Sequence, residues 1–415
     1  MPFFTQLFLL ALAAGTILQL WLLARQTRHV AGHREKVPEE FSGKVELGDH
    51  QKAADYTGAK AGIARLEIIF STLLLLVWTL GGGLDLFSRF WDGLGFDTLL
   101  TGVAFIFSVF FISSFLDLPF SLWRTFKIEA AFGFNRSTLG GFFKDRLLGA
   151  AVGLAIGAPL LWVILWLMDS AGVYWWLAAW AVWISFTLTL TWAYPRIIAP
   201  LFNKFTPLED GEMRDRIQGL LRRCGFASDG IFVMDGSKRS SHGNAYFTGF
   251  GKHKRIVFFD TLIEALTPDE MEAVLAHELG HFRRKHILKQ MVMMALISLA
   301  GLALLGWLSQ QTWFYTNLGM TQPSNAAALL LFMLAAPVFT LFFSPIGSYI
   351  SRRHEFEADD YAIAQTKGEY LVQALVKLYQ DNASTLTPDP LYSMFHDSHP
   401  PAPVRIAHIT EQSLG

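Results

Sequence analysis

A single cysteine, Cys224, stands in a chain of 415 residues. That excludes internal disulfides and any metal cluster built on thiolates. A small apolar core position is the plain reading of the residue. Charge is scarce as well: Asp, Glu, Lys and Arg make up 17% of the sequence, against roughly 25% in soluble domains. Basic residues (34) and acidic residues (35) nearly cancel, so there is no global basic field of the kind nucleic-acid binders carry, and no nucleic-acid partner is expected. No positive charge precedes the first apolar run, which argues against a signal peptide. Internal repeats and low-complexity tracts are missing too.

What is abundant is apolar: 52% of residues are hydrophobic, with 13 Trp and 36 Phe, and they are concentrated. Seven stretches approach the 17–25 residues a helix needs to cross a bilayer, near Phe3–Ala24, Ile68–Leu84, Thr98–Leu116, Leu147–Met168, Val173–Ala193, Met291–Leu308 and Ala326–Ile350. The second is short and runs into Gly81–Gly83; Pro337 and Pro345 should kink the seventh. Basic residues crowd the loops after the first span (Arg25, Arg28, Arg34, Lys36, Lys44, Lys52, Lys60, Arg65) and the third (Arg124, Lys127, Arg136, Lys144, Arg146). The positive-inside rule then places the N-terminus outside and the two large polar regions, Pro195–Gln290 and Ser351–Gly415, in the cytoplasm.

The polar regions have readable elements. Residues 208–223 have a helical pattern, with Leu208, Met213, Ile217, Leu220 and Leu221 on one side. Gly230–Met234, Asn244–Gly249 and Arg255–Phe259 are strand-like, the last two joined by a hairpin connection at Phe250–Lys254. Thr267-Pro268-Asp269-Glu270 is a helix start, with Pro268 suited to the first turn and Glu270 closing a capping box. The helix should run to about His286, its basic end suiting the negative pole of the dipole or a membrane boundary.

Inside that helix stands His277-Glu278-Leu279-Gly280-His281, an H-E-x-x-H motif. Positions i and i+4 lie one turn apart on one face, so both imidazoles reach a single tetrahedral zinc. Glu278 is angled toward a zinc-bound water, where a general base belongs. A catalytic site needs one more protein ligand. Ser351–Asp359 offers Glu355, with Asp359 one turn on to hold a ligand imidazole by its second nitrogen. His354, about 100° away around the helix, is a rival ligand, and Glu357, about 200° away, should face elsewhere. Without the H-E-x-x-H motif this acidic cluster would read as a solvated helix face.

With these motifs the sequence resembles the type I CAAX prenyl protease family, integral-membrane gluzincin zinc peptidases with seven transmembrane helices. The likeness covers nearly the whole chain. It includes Leu118–Ser121, Phe132–Asn135, Ile198–Phe205 and Ser237–His242 leading into Asn244–Phe247. His354 departs from it, standing where eukaryotic members have an aromatic residue. The resemblance implies a water-filled chamber enclosed by the helices, with zinc near its cytoplasmic end. It also implies that Asn244, Ala245 and Tyr246 belong to a substrate-binding edge strand, taking an extended peptide by backbone hydrogen bonds. His399 and Arg405, in a proline-rich loop, match residues implicated in stabilising the oxyanion. His396 competes with His399 for that role, though an exposed loop histidine is its plainer reading; His242, His253 and His286 are left as structural.

The expectation is therefore a mainly α fold: a seven-helix membrane bundle with a cytoplasmic gluzincin-like domain containing a small β-sheet. The divisions are 1–194 (five spans), 195–290 (edge strand and motif helix), 291–350 (spans six and seven) and 351–415 (third ligand and transition-state loop). The function is zinc-dependent endopeptidase with one Zn2+ per chain, acting on a peptide or protein that is membrane-associated or lipidated, with the bilayer as its other partner. Length and the lack of a retrieval signal incline toward a bacterial inner membrane. The rival reading is a catalytically silent quality-control or transport protein; against it, the spans carry no paired acidic residues at mid-membrane and Glu278 and every ligand candidate are present. A zinc hydrolase of non-peptide bonds is a further rival, which the edge strand disfavours.

Overall fold

The computed structural model describes residues 1–250 and 253–414. Seven helices in it are long and apolar enough to cross a membrane: Phe3–Gly32, Leu47–Trp78, Thr98–Glu129, Leu139–Ser170, Gly172–Phe202, His286–Leu308 and Asn325–Gln365. Only 11% of the apolar windows in the fourth and fifth is buried inside the protein, so most of that surface needs an apolar solvent. Where spans touch they form one apolar core, with Phe8, Phe105, Ile106, Leu305, Phe314 and Leu330 essentially inaccessible.

Six of the seven stretches read from sequence lie within these helices; the second requires correction. Its helix spans Leu47–Trp78, and Leu84 belongs to the next helix, Gly83–Asp92. A reversal at Gly81–Gly83 separates them: Gly82 has φ 76°, and a Cβ at Gly81 or Gly83 would lie 2.8 Å from the Val77 carbonyl oxygen. Only glycine tolerates both demands. In the seventh span the helix tightens to a 3-10 turn at Leu341–Phe343, just before Pro345, while Pro337 sits within Asn325–Thr340 without ending it. Pro345 has no N–H to return to the preceding turn, so the ladder is interrupted there.

The polar regions build a second core around a four-stranded sheet. Its strands are β1 (Phe205–Pro207), β2 (Gly230–Met234), β3 (Ala245–Phe250) and β4 (His253–Phe259), in the order β1-β2-β4-β3. β2 and β4 are parallel; the outer pairs are antiparallel, with Ala245 opposite Phe258 and Tyr246 opposite Val257. β3 is therefore an edge strand with one free side. Asn244 stands just before it, and its carbonyl accepts from Phe259 N–H at 2.9 Å. The hairpin connection at Gly251 and Lys252 lies outside the described residues. β1 was not legible in the sequence, and it shortens the expected helix at 208–223 to Glu212–Arg223. Leu208 N–H donates to the Ile231 carbonyl at 2.9 Å, so it continues strand pairing.

Ile256 and Phe258 of β4 pack with Ile217 and Leu220, with Met271, Leu275 and Ala276 of the Pro268–Arg283 helix, and with Ala362 of the seventh-span helix. The capping box is formed: Glu270 N–H donates to Thr267 Oγ1 and Thr267 N–H to Glu270 Oε2. This helix ends at Arg283, earlier than expected. Lys285 takes φ 57°, and His286 opens the sixth span.

Candidate metal centre

The site lies where the Pro268–Arg283 helix crosses Ser344–Gln365. Two small residues set how closely they approach: a Cβ on Gly280 would stand 2.9 Å from Ala358 Cα and 3.0 Å from its carbonyl oxygen. That close approach brings side chains from both helices onto one point. His277 Nε2 and His281 Nε2 are 3.2 Å apart, His281 Nε2 is 3.2 Å from Glu355 Oε1, and His277 Nε2 is 3.5 Å from Glu355 Oε2. Bonds of about 2.0–2.1 Å to a tetrahedral zinc place neighbouring donor atoms about 3.3 Å apart. The three residues thus have the spacing of one face of such a tetrahedron, and among the described residues they are the group of His and carboxylate side chains that could hold a metal ion. Glu355 is 3% exposed, and although His399 Nδ1 stands 2.7 Å from its Oε2, that oxygen has no well-directed hydrogen bond. A buried carboxylate oxygen in this state suits a metal.

The surroundings orient the donors. Asp359, wholly buried, lies with Oδ1 2.7 Å from His277 Nδ1, which leaves Nε2 as the free donor. Burial and the Arg405 charge lower the His277 pKa, but the Asp359 and Glu355 carboxylates beside it prevail and raise it to about 9, so a metal at Nε2 would compete with a proton. Arg405 is buried behind the cluster, donating to Asp359 Oδ2 from Nε at 2.9 Å and to Oδ1 from Nη2 at 2.6 Å. Its Nη1 lies 3.6 Å from Glu355 Oε2. Arg405 is thus committed mainly to Asp359, whereas the His399 side chain, beside Glu355, is 65% exposed.

Glu278, half-buried, faces a cavity of about 290 Å³ that Tyr246 and Phe247 of β3 also line. The edge strand and Glu278 therefore border one space. Asn244 is exposed at the start of that strand.

The other histidines divide. His242 stacks on Phe134 and its Nδ1 is 2.9 Å from Asn382 Oδ1, tying the lead into β3 to two loops. His396 packs at a tilt against Tyr392, ring centres 4.5 Å apart, and borders a cavity together with His399. His354, the rival ligand, stacks face to face on His286 with ring centres 4.0 Å apart. His286 had no role in the sequence reading, yet its Nδ1 is 3.0 Å from His281 Nδ1 and its Nε2 is 3.1 Å from Glu357 Oε2. Spacing gave no signal for it: on an unbroken helix His286 would lie about 140° around from His281.

Comparison with known proteins agrees along nearly the whole chain. Residues 26–204 match the family model "CAAX prenyl protease N-terminal, five membrane helices", and residues 207–413 match that of peptidase family M48. A CAAX prenyl protease 1 homolog of Arabidopsis thaliana is 36% identical over 82% of this chain and 80% of its own. CAAX prenyl protease 1 of Saccharomyces cerevisiae is 33% identical, covering 88% and 86%, and the Homo sapiens homolog is 31% identical, covering 97% and 94%. The crystal structure of S. mikatae Ste24p superposes with a TM-score of 0.88 over 97% of this chain and 98% of that one, at 32% identity.

Proposed function

The chain belongs to the CAAX prenyl protease family of M48 peptidases, membrane zinc endopeptidases, and from that membership we propose the roles of its individual residues. His277, His281 and Glu355 hold one zinc per chain, and Glu278 is the general base. What carries the assignment is the convergence of two imidazole nitrogens and a buried carboxylate at the edge lengths of a zinc tetrahedron. When bound, zinc polarises the scissile carbonyl and lowers the pKa of a coordinated water toward about 7.

The chain's own groups do the rest. The free side of β3 takes the substrate as an added strand, with Asn244, Ala245 and Tyr246 pairing its backbone. Glu278 accepts the attacking water's proton and returns one to the leaving amine. His399 donates to the oxyanion. Arg405 adds positive charge behind it while holding Asp359, and through it His277, in place. The substrate is a membrane-bound or lipidated protein, and the site faces the cytoplasm, supported by the basic loops after spans one and three.

Metal analysis of purified variants tests the ligand set. His277→Ala, His281→Ala and Glu355→Ala should each lose most of the zinc held at one equivalent by the parent protein, and chelation should abolish peptide hydrolysis in the parent. Full zinc retention by Glu355→Ala would remove that residue from the ligand set.

A further inference from the structure

The two ligand imidazoles are held differently at their far nitrogens. His277 Nδ1 meets a carboxylate, Asp359, directly. His281 Nδ1 meets another imidazole, His286, at 3.0 Å, and only beyond that ring stands a carboxylate, Glu357, 3.1 Å from His286 Nε2. We infer that His286 is a positioning residue: with Glu357 it forms a two-step relay that fixes the His281 tautomer and presents bare Nε2 to the metal. The inference rests on His281 being a ligand, as proposed above.

The assignment of protons follows from the partners. An ionised carboxylate can only accept, so His286 carries its proton on Nε2 and donates it to Glu357. Its Nδ1 is then an acceptor, and the atom facing it, His281 Nδ1, must be the donor. That leaves a lone pair on His281 Nε2, the atom facing His277 Nε2 and Glu355 Oε1. A direction imposed by Glu357 is passed through one ring to the ligand.

Three features hold the relay in place. The backbone turns at Lys285, φ 57°, a conformation unfavourable for a residue with a Cβ. That turn brings His286 back beside His281. His286 is 4% exposed, and the His354 ring lies flat against it, 4.0 Å between centres and 11° between planes. This gives His354 a part as the stacking partner. Glu357 is drawn toward His286 by its place on the helix face away from Glu355, with Arg353 and Lys289 within 3.6 and 3.8 Å.

The test is metal affinity of the full-length protein in detergent, measured by competition with a chromogenic chelator without substrate. His286→Phe keeps a ring to stack on His354 but has no acceptor. His286→Asn loses the stack but can place a carbonyl oxygen near the position of Nδ1. The relay requires His286→Phe to weaken zinc binding about 10–100-fold, and His286→Asn to recover most of that loss. Packing alone would give the opposite order. In the cobalt(II)-substituted protein, the visible spectrum should be perturbed in His286→Phe and parent-like in His286→Asn. Glu357→Leu should move affinity in the same direction as His286→Phe, which keeps the test open if that variant fails to fold. Parent-like affinity in His286→Phe, or an Asn variant no better than Phe, would overturn the relay. If His281→Ala itself keeps zinc, the failure lies in the ligand assignment instead.

Discussion

Glu278 follows His277 directly, but one residue along a helix turns the side chain by about 100°. It lines the cavity shared with Tyr246 and Phe247, which the ligand candidates His281 and Glu355 also line. Glu278→Gln keeps the size and can hydrogen bond to a water, but cannot accept its proton. Loss of a positioned general base costs about 10²–10⁴-fold in rate, and the metal should remain because its ligands are untouched. The variant should be zinc-replete, bind an unstructured peptide about as well as the parent, and turn it over at that reduced rate. Zinc content, affinity and turnover on one preparation check this; near-parental turnover would remove Glu278 from the role. At this scale the sequence was legible where helical spacing alone sets geometry. His277, His281, Glu355 and Asp359 come together as their i, i+4 intervals require. His286 was not legible, because its position depends on the turn at Lys285, which no periodicity encodes.

Between elements, the crossing of the motif helix and the seventh-span helix decides whether those intervals matter. Gly280 touches the backbone of Ala358, and backbone cannot rotate aside. Gly280→Ala must therefore push the helices apart, and overpacking of this kind costs about 1–3 kcal/mol. Because His277 and His281 sit on one helix and Glu355 on the other, the same displacement opens the donor triangle. The variant should melt at lower temperature and bind zinc more weakly, whereas Leu279→Ile, at a buried position on the same helix, should cost mainly stability. Calorimetry paired with zinc titration separates the two; an unchanged zinc affinity in Gly280→Ala would show the crossing is not what sets the site. Elements with strong local signals, such as the capped start at Thr267 and strands β2 to β4, were readable, since propensity and pattern agreed. Their ends were less so. Leu208 joins a strand through Ile231, and Leu84 leaves a span through a glycine reversal, each a tertiary contact that local pattern does not carry.

For the molecule as a whole, seven crossings put the two termini on opposite sides of the bilayer. The basic loops follow spans one and three, and the polar domain follows span five, so all of them share one side whichever side that is. In the orientation proposed from the positive-inside rule, that side is the cytoplasm. Cys224 is the only thiol, so a Cys224→Ser background is free of other labelling sites. In it, single cysteines at exposed positions report each side: Ser42 in the loop after span one, Asp210 in the polar domain, and Gln322 between spans six and seven. A membrane-impermeant maleimide added to intact cells should label Gln322→Cys and spare Ser42→Cys and Asp210→Cys until the membrane is opened. Labelling of Asp210→Cys from outside would reverse the orientation and with it the source of substrates. Labelling of Ser42→Cys and Asp210→Cys from different sides would break the crossing count itself, since an even number of spans must separate them.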